Sequence, residues 1–466
     1  MDILKKYNQC LKSILCKNCN SFAKCQAWVN FVKNHGNIKS YAHFDRRVSL
    51  SMPSIRKYVM DTNEISKHSF YPFIHFEKKN SRYGKKAREK LRELYYCSHL
   101  DRCVYQRYAF LLNYQYNIWA NNRNIDSIAI AYRDNLGKNN IDFAKNAFDA
   151  ISSFSQCFIL VGDFTDFFDT LDHQYLKKMI CKVLMVNRLP PDYFAIFKNV
   201  THFAYWDWKD IINAAEKNIT EKGIRTKLNR ENVILTKQQF QKCKKDIKKN
   251  HSDRGIPQGS PISAVLSNIY MIEIDETLNR YVTSKSGIYM RYSDDFIIIL
   301  PYKNESEIEK YKDYLFAYFR SLKKLITLQK EKTSFYIYRN KKIYENNQSS
   351  AINYLGFLFD GASTKIRPRA ITKYYYRMHR KAYTIGRNSW KSPKGKHITA
   401  QNLYNTYSHN DRGQTFIDYA KRANKLLHLN DPEANSLIKF HKRKIAQAIK
   451  AGMKSKKYTY NSRTRN

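Results

Sequence analysis

The sequence predicts an α+β fold in which helices pack against an antiparallel sheet. Hydrophobic residues make up 43% of the 466 residues, which supplies a sizeable core and argues against wholesale disorder. From residue 157 to residue 300, the order of elements is strand, helix, loop, helix, strand, strand. Two strands that follow each other directly form an antiparallel pair, and we expect the helices on one face of their sheet.

The N-terminal third of the chain reads mainly as helix. Residues 1–70 are basic and mostly helical in pattern, and residues 84–119 contain a long helix with apolar periodicity. The segment AIAYRDNLGKNN (129–140) predicts a strand followed by a turn, because Gly137 and the Asn pair after it break regular structure.

The middle of the chain alternates between apolar and breaker-rich segments. CFILVGDF (157–164) predicts a short buried strand, and FFDTLDHQYLKKMICKVL (167–184) predicts a turn and then a helix. Residues 200–250 are polar and Lys-rich, and we expect an irregular insertion there. GIPQGSPISAVLSNIYMIEIDETLNRYV (255–282) reads as a Gly/Pro loop followed by an amphipathic helix.

The remaining elements complete the sheet and add a helical end. IYMRYSDDFIIIL (288–300) predicts a hairpin with its tight turn at Ser293 and Asp294. A helix is expected around 304–325, and NYLGFLFDG (353–361) predicts a further strand pair. The last hundred residues are basic and helical in pattern.

The charge of the chain points to a polyanionic partner. Lys and Arg number 83 against 40 Asp and Glu, which gives a net charge of +43. Nucleic acid is the default partner at this magnitude, and the alternative is a merely basic surface. No apolar run approaches the roughly 20 residues of a membrane span, and the N-terminus lacks a secretory h-region. We therefore expect no membrane partner, a cytoplasmic location and reduced thiols.

Four of the nine cysteines lie close together near the N-terminus, at Cys10, Cys16, Cys19 and Cys25. The inner pair forms a C-x-x-C, but the outer spacings are unusual for a zinc knuckle. A structural zinc ion and buried or incidental thiols are both compatible with this pattern.

Three carboxylates occur where apolar strands end. Asp163 closes the strand 157–164, and Asp294 and Asp295 sit at the tip of the predicted hairpin. If the two strands are neighbours, the three carboxylates meet at one sheet edge and repel each other unless a cation neutralises them. Mg²⁺ prefers such oxygen ligands, and two metal ions together serve phosphoryl transfer. The alternatives are that the Asp pair only forms a turn and that Asp163 caps a helix.

Five segments occur in the order of the palm motifs of reverse transcriptases: GDFTDFFDTLDH, RGIPQGSPISAVLSNIYM, YMRYSDDF, LQKEKT and YLGF. The chain resembles this family over roughly residues 71–380, and within it the bacterial branch similar to group II intron and retron enzymes. The resemblance implies an RNA-directed DNA polymerase with a right-hand fold of fingers, palm and thumb.

The resemblance also implies domain boundaries. A helical basic extension would span 1–70, fingers 71–156, and a palm with an antiparallel sheet 157–360, which includes the insertion 200–250. A helical basic thumb and tail would span 361–466.

By the same resemblance, Asp163, Asp294 and Asp295 match the catalytic metal-binding carboxylates, and the backbone carbonyl of Phe164 matches a further metal ligand. The implied cofactor is a pair of Mg²⁺ ions, for which Mn²⁺ can substitute. Ser293 departs from the Ala or other small residue of many relatives, and we expect no loss of activity from it.

Five further residues match the family's nucleotide site. Phe168 matches the bulky residue that leaves no room for a 2′-hydroxyl, and Gln258 matches a contact to nucleotide and template. Arg133 resembles the cation that clamps the triphosphate, and Arg92 is a second candidate. Lys332 resembles the catalytic lysine that protonates pyrophosphate. The alternatives are that Phe168 is core and that the three cations lie on a solvated surface.

No HNH endonuclease pattern and no retron-specific segment occurs, and residues after 361 are too few for an RNase H domain beside a thumb. The chain therefore resembles stand-alone reverse transcriptases of antiphage defence. That resemblance implies a structured non-coding RNA as template, dNTPs as substrates and a DNA product, and a homo-oligomer stays open.

Three other interpretations stay open. Some relatives prime protein-linked or untemplated homopolymer DNA from a tyrosine, and Tyr458 and Tyr460 near the basic C-terminus are candidates. A non-catalytic RNA-binding scaffold would also be basic, although the three intact carboxylates argue against it. An RNA-dependent RNA polymerase shares the palm, but Phe168 and the PQGSPIS segment argue against that interpretation.

Overall fold

The structure is a computed structural model, and it describes residues 26–80, 90–215, 228–229, 231–388, 400–409, 413 and 415–463. Helices and strands share these residues, so the predicted α+β class is confirmed. Within the described part, no helix combines the length and the apolar character needed to cross a membrane. The cysteine cluster lies outside the described residues, at Cys10, Cys16, Cys19 and Cys25.

Helices occur along the whole described part of the chain. In chain order they are α1 (Gln26–His35), α2 (Pro53–Met60), α3 (Thr62–Ser66), α4 (His99–Asn122), α5 (Asn140–Ser153), α6 (Phe167–Thr170), α7 (His173–Leu184), α8 (Pro191–Thr201), α9 (Trp208–Ala214), α10 (Lys237–Cys243), α11 (Ser263–Tyr270), α12 (Ile272–Ser284), α13 (Glu305–Ser321), α14 (Pro368–Arg387), α15 (Ala400–Tyr407), α16 (Phe416–Leu427) and α17 (Pro432–Arg463). The strands are β1 (Phe73–Asn80), β2 (Lys90–Tyr96), β3 (Gln156–Asp163), β4 (Ala204–Asp207), β5 (Lys248–Lys249), β6 (Ile288–Tyr292), β7 (Asp295–Pro301), β8 (Ser334–Arg339), β9 (Lys342–Glu345), β10 (Gln348–Ser350), β11 (Ile352–Tyr354), β12 (Phe357–Phe359) and β13 (Thr364–Ile366).

The largest sheet in the described residues has the strand order β10-β9-β8-β3-β7-β6, and its neighbouring strands are antiparallel. The strand predicted at 157–164 is confirmed as β3, near the centre of this sheet. The hairpin predicted at 288–300 is confirmed as β6 and β7, with a tight turn at Ser293 and Asp294. The predicted antiparallel sheet therefore exists and carries both segments that end in carboxylates.

Both faces of this sheet are buried, because successive side chains of a strand point to opposite sides. On β7, Phe296, Ile298 and Leu300 join one hydrophobic core, together with residues of α4, α7, α11 and α12. Ile297 and Ile299 join a second core with residues of α5, α14, α16 and α17. The expectation of helices on one face is therefore wrong. The unbroken apolar run of β7 is the pattern of a strand buried on both faces.

A second sheet has the order β2-β1-β4-β5, in which β1 and β4 are parallel. One side of this sheet packs against a small third hydrophobic core, which includes Phe44, Ile74 and Trp206. The expectation that 200–250 is irregular is wrong for the described residues, since α9, α10, β4 and β5 lie there. This Lys-rich segment still contains a few apolar side chains, such as Trp206 and Ile211. These side chains are buried in the third core.

The C-terminal part is helical, as the sequence predicts, and follows a three-stranded antiparallel sheet of β11, β12 and β13. The strand pair predicted at 353–361 is confirmed as β11 and β12. Leu355 and Gly356 connect these strands with φ angles of 47° and 95°. The helix predicted at 304–325 is confirmed as α13.

Candidate active site

The large sheet brings three carboxylates to one edge. Asp163 ends β3 and lies opposite Asp295, the first residue of β7, in the antiparallel register. Asp294 precedes β7 in the turn, and its carbonyl accepts a hydrogen bond from the Phe164 N–H at 3.2 Å. The expected adjacency of the two strands is therefore confirmed. The alternative, in which Asp163 caps a helix, is not observed at α7. The cap of α7 is Asp172, whose side chain accepts the N–H of Tyr175.

Negative charge is costly at this edge. Burial and, after it, the neighbouring carboxylates Asp294 and Asp163 raise the pKa of Asp295 to about 7, while Lys332 and Arg367 act in the opposite direction. A carboxyl group with such a pKa favours its neutral form near neutral pH. A cation at the edge would relieve this penalty.

Lys332 supplies one positive charge to the edge. A single turn of 3-10 helix, Lys330–Lys332, places its ammonium group against the Asp163 carboxylate as an ion pair. The turn is fixed to the end of β3, since the Gln329 N–H donates to the Asp163 carbonyl at 2.8 Å. The Lys332 side chain is 46% exposed, so its ammonium group remains accessible to solvent.

The oxygen atoms at this edge suit a hard divalent cation, but the side chains do not enclose a position for one. Carboxylate and carbonyl oxygens are the ligands that Mg²⁺ prefers. Among the residues that the structure describes, no three acidic, histidine or cysteine side chains stand close enough to enclose a metal ion. The Lys332 ammonium group compensates the charge of Asp163.

Phe164 and its neighbours fix the backbone beside the carboxylates. Its ring is buried and stacks on Phe296, with ring centroids 5.1 Å apart. An isolated antiparallel bridge joins Phe164 to Leu328 through two hydrogen bonds, from the Thr165 N–H and to the Asp163 carbonyl. Neither of these bonds uses the Phe164 carbonyl, which leaves this oxygen compatible with its predicted role as a metal ligand.

The two phenylalanines after Asp163 have different environments. Phe167 is 3% exposed and belongs to the core, while Phe168 is half-buried and meets Phe167 at a centroid distance of 5.7 Å. The Phe168 carbonyl accepts the N–H of Ile256 at 2.9 Å, which joins this segment to the loop before α11. Phe168 is therefore the member of the pair with an accessible ring, and its role in sugar selection stays a prediction.

The loop that carries Gln258 is held on β2. The Tyr95 N–H donates to the Gln258 carbonyl at 2.9 Å, and the Ser263 hydroxyl donates to the Pro257 carbonyl at 2.7 Å. Gly259 has a φ of 112°, and a Cβ atom there would lie 2.6 Å from the Tyr95 carbonyl oxygen. Only glycine fits this close approach. The Gln258 side chain is partly exposed beside it.

The Arg133 side chain is not exposed to solvent. Its guanidinium group is fully buried and donates to the Asn117 side chain at 2.8 Å, to the Asp126 carboxylate, and to the backbone carbonyls of Asp126 and Ala129. Residues 129–140 were predicted to form a strand and then a turn, and the strand is wrong: the described backbone there has a single bridge at Ala129, turns and a 3-10 helix, Asp134–Leu136. The Arg133 side chain points inward, and its hydrogen bonds join residue 133 to the backbone of Asp126 and Ala129.

The other predicted residues are dispersed. Arg92 is exposed on β2, in the second sheet, and its register partner is Lys78. Tyr458 and Tyr460 belong to the backbone of α17, and their side chains lie outside the described residues. The structure therefore gathers Asp163, Phe164, Asp294, Asp295 and Lys332 at one edge, whereas Arg92 lies on the second sheet and Arg133 is held by Asn117 and Asp126.

Two sets of residues near the edge were missed from the sequence. A cavity of about 340 Å³ opens beside Asp295, with Tyr354 and Arg367 among its lining residues. Behind the turn, Arg291 and Asp275 form a fully buried ion pair at 2.7 Å. One feature of the sequence could have indicated this ion pair: a charged residue at position 291, on the same side of β6 as the buried Tyr289.

Residues 78–359 match the sequence profile of the family described as reverse transcriptase (RNA-dependent DNA polymerase). This match spans more than half of the chain and contains every carboxylate of the site. The chain belongs to the reverse transcriptase family. The mixed helices and antiparallel sheets agree with the right-hand polymerase fold of this family, and reverse transcriptases generally use divalent metal ions.

Solved structures similar to this reverse transcriptase include telomerases. The apo telomerase from Candida tropicalis truncated from its C-terminal domain is 12% identical, with a TM-score of 0.39, and 72% of this chain covers 65% of that one. The telomerase from Candida albicans in complex with a TWJ fragment of telomeric RNA is 12% identical, with a TM-score of 0.37, and 92% of this chain covers 69% of it. The reverse transcriptase thus spans about two thirds of their length. No curated protein matches its sequence.

Proposed function

We propose that the chain is an RNA-directed DNA polymerase that joins dNTPs to a primer 3′ end on an RNA template. The observation that carries this proposal is the register of the large sheet, in which Asp163 faces Asp295 with Asp294 beside them. This edge lies within the segment that matches the reverse transcriptase family. A scaffold without catalysis would have no need for three carboxylates at one sheet edge, where Lys332 pairs with Asp163 alone.

Asp163, Asp294, Asp295 and the Phe164 carbonyl would hold two Mg²⁺ ions, or Mn²⁺ in their place. When bound, these ions would activate the primer 3′-hydroxyl and stabilise the leaving pyrophosphate. The raised pKa of Asp295 supports this assignment, because burial and the two neighbouring carboxylates disfavour its negative charge, which a cation would stabilise.

The chain's own side chains would orient the nucleotide and move the proton. Phe168 would pack under the sugar and exclude a 2′-hydroxyl, and Gln258 would contact the base pair from its held loop. Lys332 would give its proton to the leaving pyrophosphate, a role that its accessible ammonium group supports. Arg92 is exposed and would meet phosphate, whereas the buried contacts of Arg133 favour a structural role.

We further propose a cytoplasmic enzyme of the bacterial branch similar to group II intron and retron enzymes, acting in antiphage defence on a structured non-coding RNA. This part rests on the resemblance of the sequence motifs and on the net charge of +43, which suits a phosphate backbone. Sequencing of the RNA that copurifies with the protein would test it. One dominant structured RNA supports the proposal, and a random sample of cellular RNA contradicts it.

The decisive experiment uses protein purified with its bound RNA. The protein is supplied with Mg²⁺ and labelled dNTPs, singly and together, beside Asp294→Asn and the matched control Asp313→Asn on the exposed side of α13. Polymer from wild type and control, but none from Asp294→Asn, is the expected result. No polymer from wild type would contradict the proposal. Polymer from one dNTP alone would instead favour untemplated homopolymer synthesis, whose link to Tyr458 or Tyr460 mass spectrometry can detect.

A further inference from the structure

A buried charge lies directly behind the turn that carries the carboxylates. Arg291 is on β6, and neither its side chain nor that of Asp275 on α12 is exposed by more than 1%. The side chain lies on the same face of the strand as Tyr289, which belongs to the apolar core. A charge in such a place is strongly disfavoured unless every donor is satisfied, so it needs a specific reason.

The guanidinium group is held from two sides. Its Nε and Nη2 atoms form a two-pronged contact with the Asp275 carboxylate, at 2.9 and 2.7 Å. Its Nη1 atom donates to the Asn268 side chain at 3.2 Å. The Tyr289 hydroxyl donates to the same Asp275 carboxylate at 2.9 Å. These bonds leave the guanidinium plane little freedom to rotate.

The same Nη1 atom reaches into the turn. It donates to the Ser293 carbonyl at 2.9 Å, and Ser293 has a φ of 62°, a left-handed conformation that side chains other than glycine seldom adopt. Asp294 and Asp295 are the next two residues. Because the hydrogen bond holds the peptide that leads into Asp294, the side chain of Arg291 helps to fix where both carboxylates begin.

The network also fastens the turn to an earlier part of the chain. The Asn268 amide donates to the Ala131 carbonyl at 2.9 Å. The backbone of Arg291 exchanges hydrogen bonds with Ile128 and Ile130, at 2.8 and 3.0 Å. The turn, the helix α11 and the segment around Ala131 therefore converge on one guanidinium group.

We propose that Arg291, oriented by Asp275 and Asn268, is a positioning residue that sets the Asp294 and Asp295 carboxylates for metal binding. The inference rests on the proposed polymerase function and deepens it. Arg291 contacts neither substrate nor metal in this role. It acts through the Ser293 carbonyl, in the way that residues around a metal site orient the ligands.

Arg291→Lys tests the inference, because lysine keeps the charge but lacks the planar fork that reaches Asp275 and Ser293 together. The matched control is Arg102→Lys, the same exchange at a buried arginine of α4 that donates to the carbonyls of Asn37 and Val48. The first readout is Mn²⁺ affinity from an electron paramagnetic resonance titration without nucleotide. The second is the division of the polymerase defect between kcat and the KM for dNTP.

We expect Arg291→Lys to weaken Mn²⁺ binding by about 10-fold or more and to lower kcat while the KM for dNTP changes little. Arg102→Lys should lower stability and leave the Mn²⁺ affinity unchanged. An Arg291→Lys protein that folds and binds Mn²⁺ like wild type would overturn the inference.

If Arg291→Lys fails to fold, Asn268→Ala decides, because it removes one acceptor of the guanidinium and leaves the pair with Asp275 in place. Weaker Mn²⁺ binding by this variant than by Arg102→Lys supports the inference, and wild-type affinity overturns it. A wild-type protein that neither binds Mn²⁺ nor polymerises would overturn the proposed function itself. Wild-type activity together with an unaffected Arg291→Lys overturns only the positioning role.

Discussion

Asp163 and Asp295 face each other across two antiparallel strands, at the place where the apolar part of the large sheet ends. Burial and the nearby carboxylates raise the pKa of Asp295 to about 7. The sheet thus creates a site in which one carboxyl group resists ionisation until a cation arrives. This relationship has consequences for stability that can be measured without substrate.

The contribution of Asp295 to the stability of the metal-free protein should fall as the pH rises from about 4 to 7. Over this range Asp295 is ionised in the unfolded chain but keeps its proton in the folded state, so the folded state binds more protons and higher pH favours unfolding. Asp295→Asn removes this penalty. Relative to wild type, the variant should gain on the order of 2 kcal/mol between pH 5 and pH 8.

Urea unfolding in the presence of EDTA at the two pH values measures this gain. Asp313→Asn, an exposed carboxylate on α13, is the control and should show no such change. An Asp295→Asn variant whose stability relative to wild type is the same at both pH values would contradict the raised pKa.

Lys332→Gln should separate metal affinity from turnover. The ammonium group of Lys332 forms an ion pair with Asp163, so it competes with a divalent ion for that carboxylate. Its removal should strengthen Mn²⁺ binding several-fold and lower kcat by about 10-fold or more, since a proton donor is lost. Mn²⁺ titration and single-nucleotide kinetics measure the two effects. Lys324→Gln, another exposed lysine nearby in sequence, should change neither.

The sequence was sufficient to predict the edge of carboxylates, and physical reasons explain why. β3 and the hairpin of β6 and β7 are apolar runs that end in Asp163 and Asp294, and such runs pair with each other in a buried sheet. The periodicity of residues 304–325 likewise predicted α13. These elements depend on local patterns of apolar residues, which are visible in the chain itself.

The surroundings of the edge could not be predicted in this way. Arg291 lies on strand β6 and its partner Asp275 lies 16 positions earlier on helix α12, and nothing local signals that the two meet. Arg133 looked like an exposed cation, but Asn117 and Asp126 turn it inward. Both cases depend on which polar groups tertiary packing brings together, and local sequence patterns carry no information on such distant partners.

Gly259→Ala should disturb the loop of Gln258 more than a change at an unconfined glycine. The new Cβ would lie 2.6 Å from the Tyr95 carbonyl oxygen, and a backbone atom cannot yield cheaply. We expect a loss of about 2–3 kcal/mol in the free energy of unfolding and a raised KM for dNTP. Gly137→Ala is the control, because its φ is also positive, at 59°, and nothing lies within 4 Å of its Cβ position.

Denaturant unfolding and primer-extension kinetics measure both quantities. Gly137→Ala should cost only the left-handed conformation, about 1 kcal/mol, and leave KM unchanged. Equal losses of stability for the two variants would show that close packing against Tyr95 is not what requires glycine at 259.

Ser293→Ala should be tolerated. The Ser293 hydroxyl is buried and has no hydrogen-bond partner in the described residues, so its removal relieves an unsatisfied polar group. The carbonyl that accepts from Arg291 is a backbone atom and is retained. We expect wild-type kcat and a free energy of unfolding that is equal or higher by about 1 kcal/mol. A large loss of activity would show that the hydroxyl itself takes part in the reaction.

Phe168→Ala should relax the choice of sugar, whereas Phe167→Ala should not. The Phe168 ring is half-buried in the segment that follows Asp163, while the Phe167 ring is 3% exposed and lies in the core. Loss of the accessible ring opens space where a 2′-hydroxyl would sit, so the ratio of kcat/KM for NTP to that for dNTP should rise by about 10-fold or more. Loss of the core ring should instead destabilise the fold by about 3–5 kcal/mol without a change in this ratio. Single-nucleotide incorporation with matched NTP and dNTP, measured beside thermal unfolding, distinguishes the two effects. Unchanged sugar discrimination in a folded Phe168→Ala enzyme would assign the ring to packing alone and would require another residue to select the sugar.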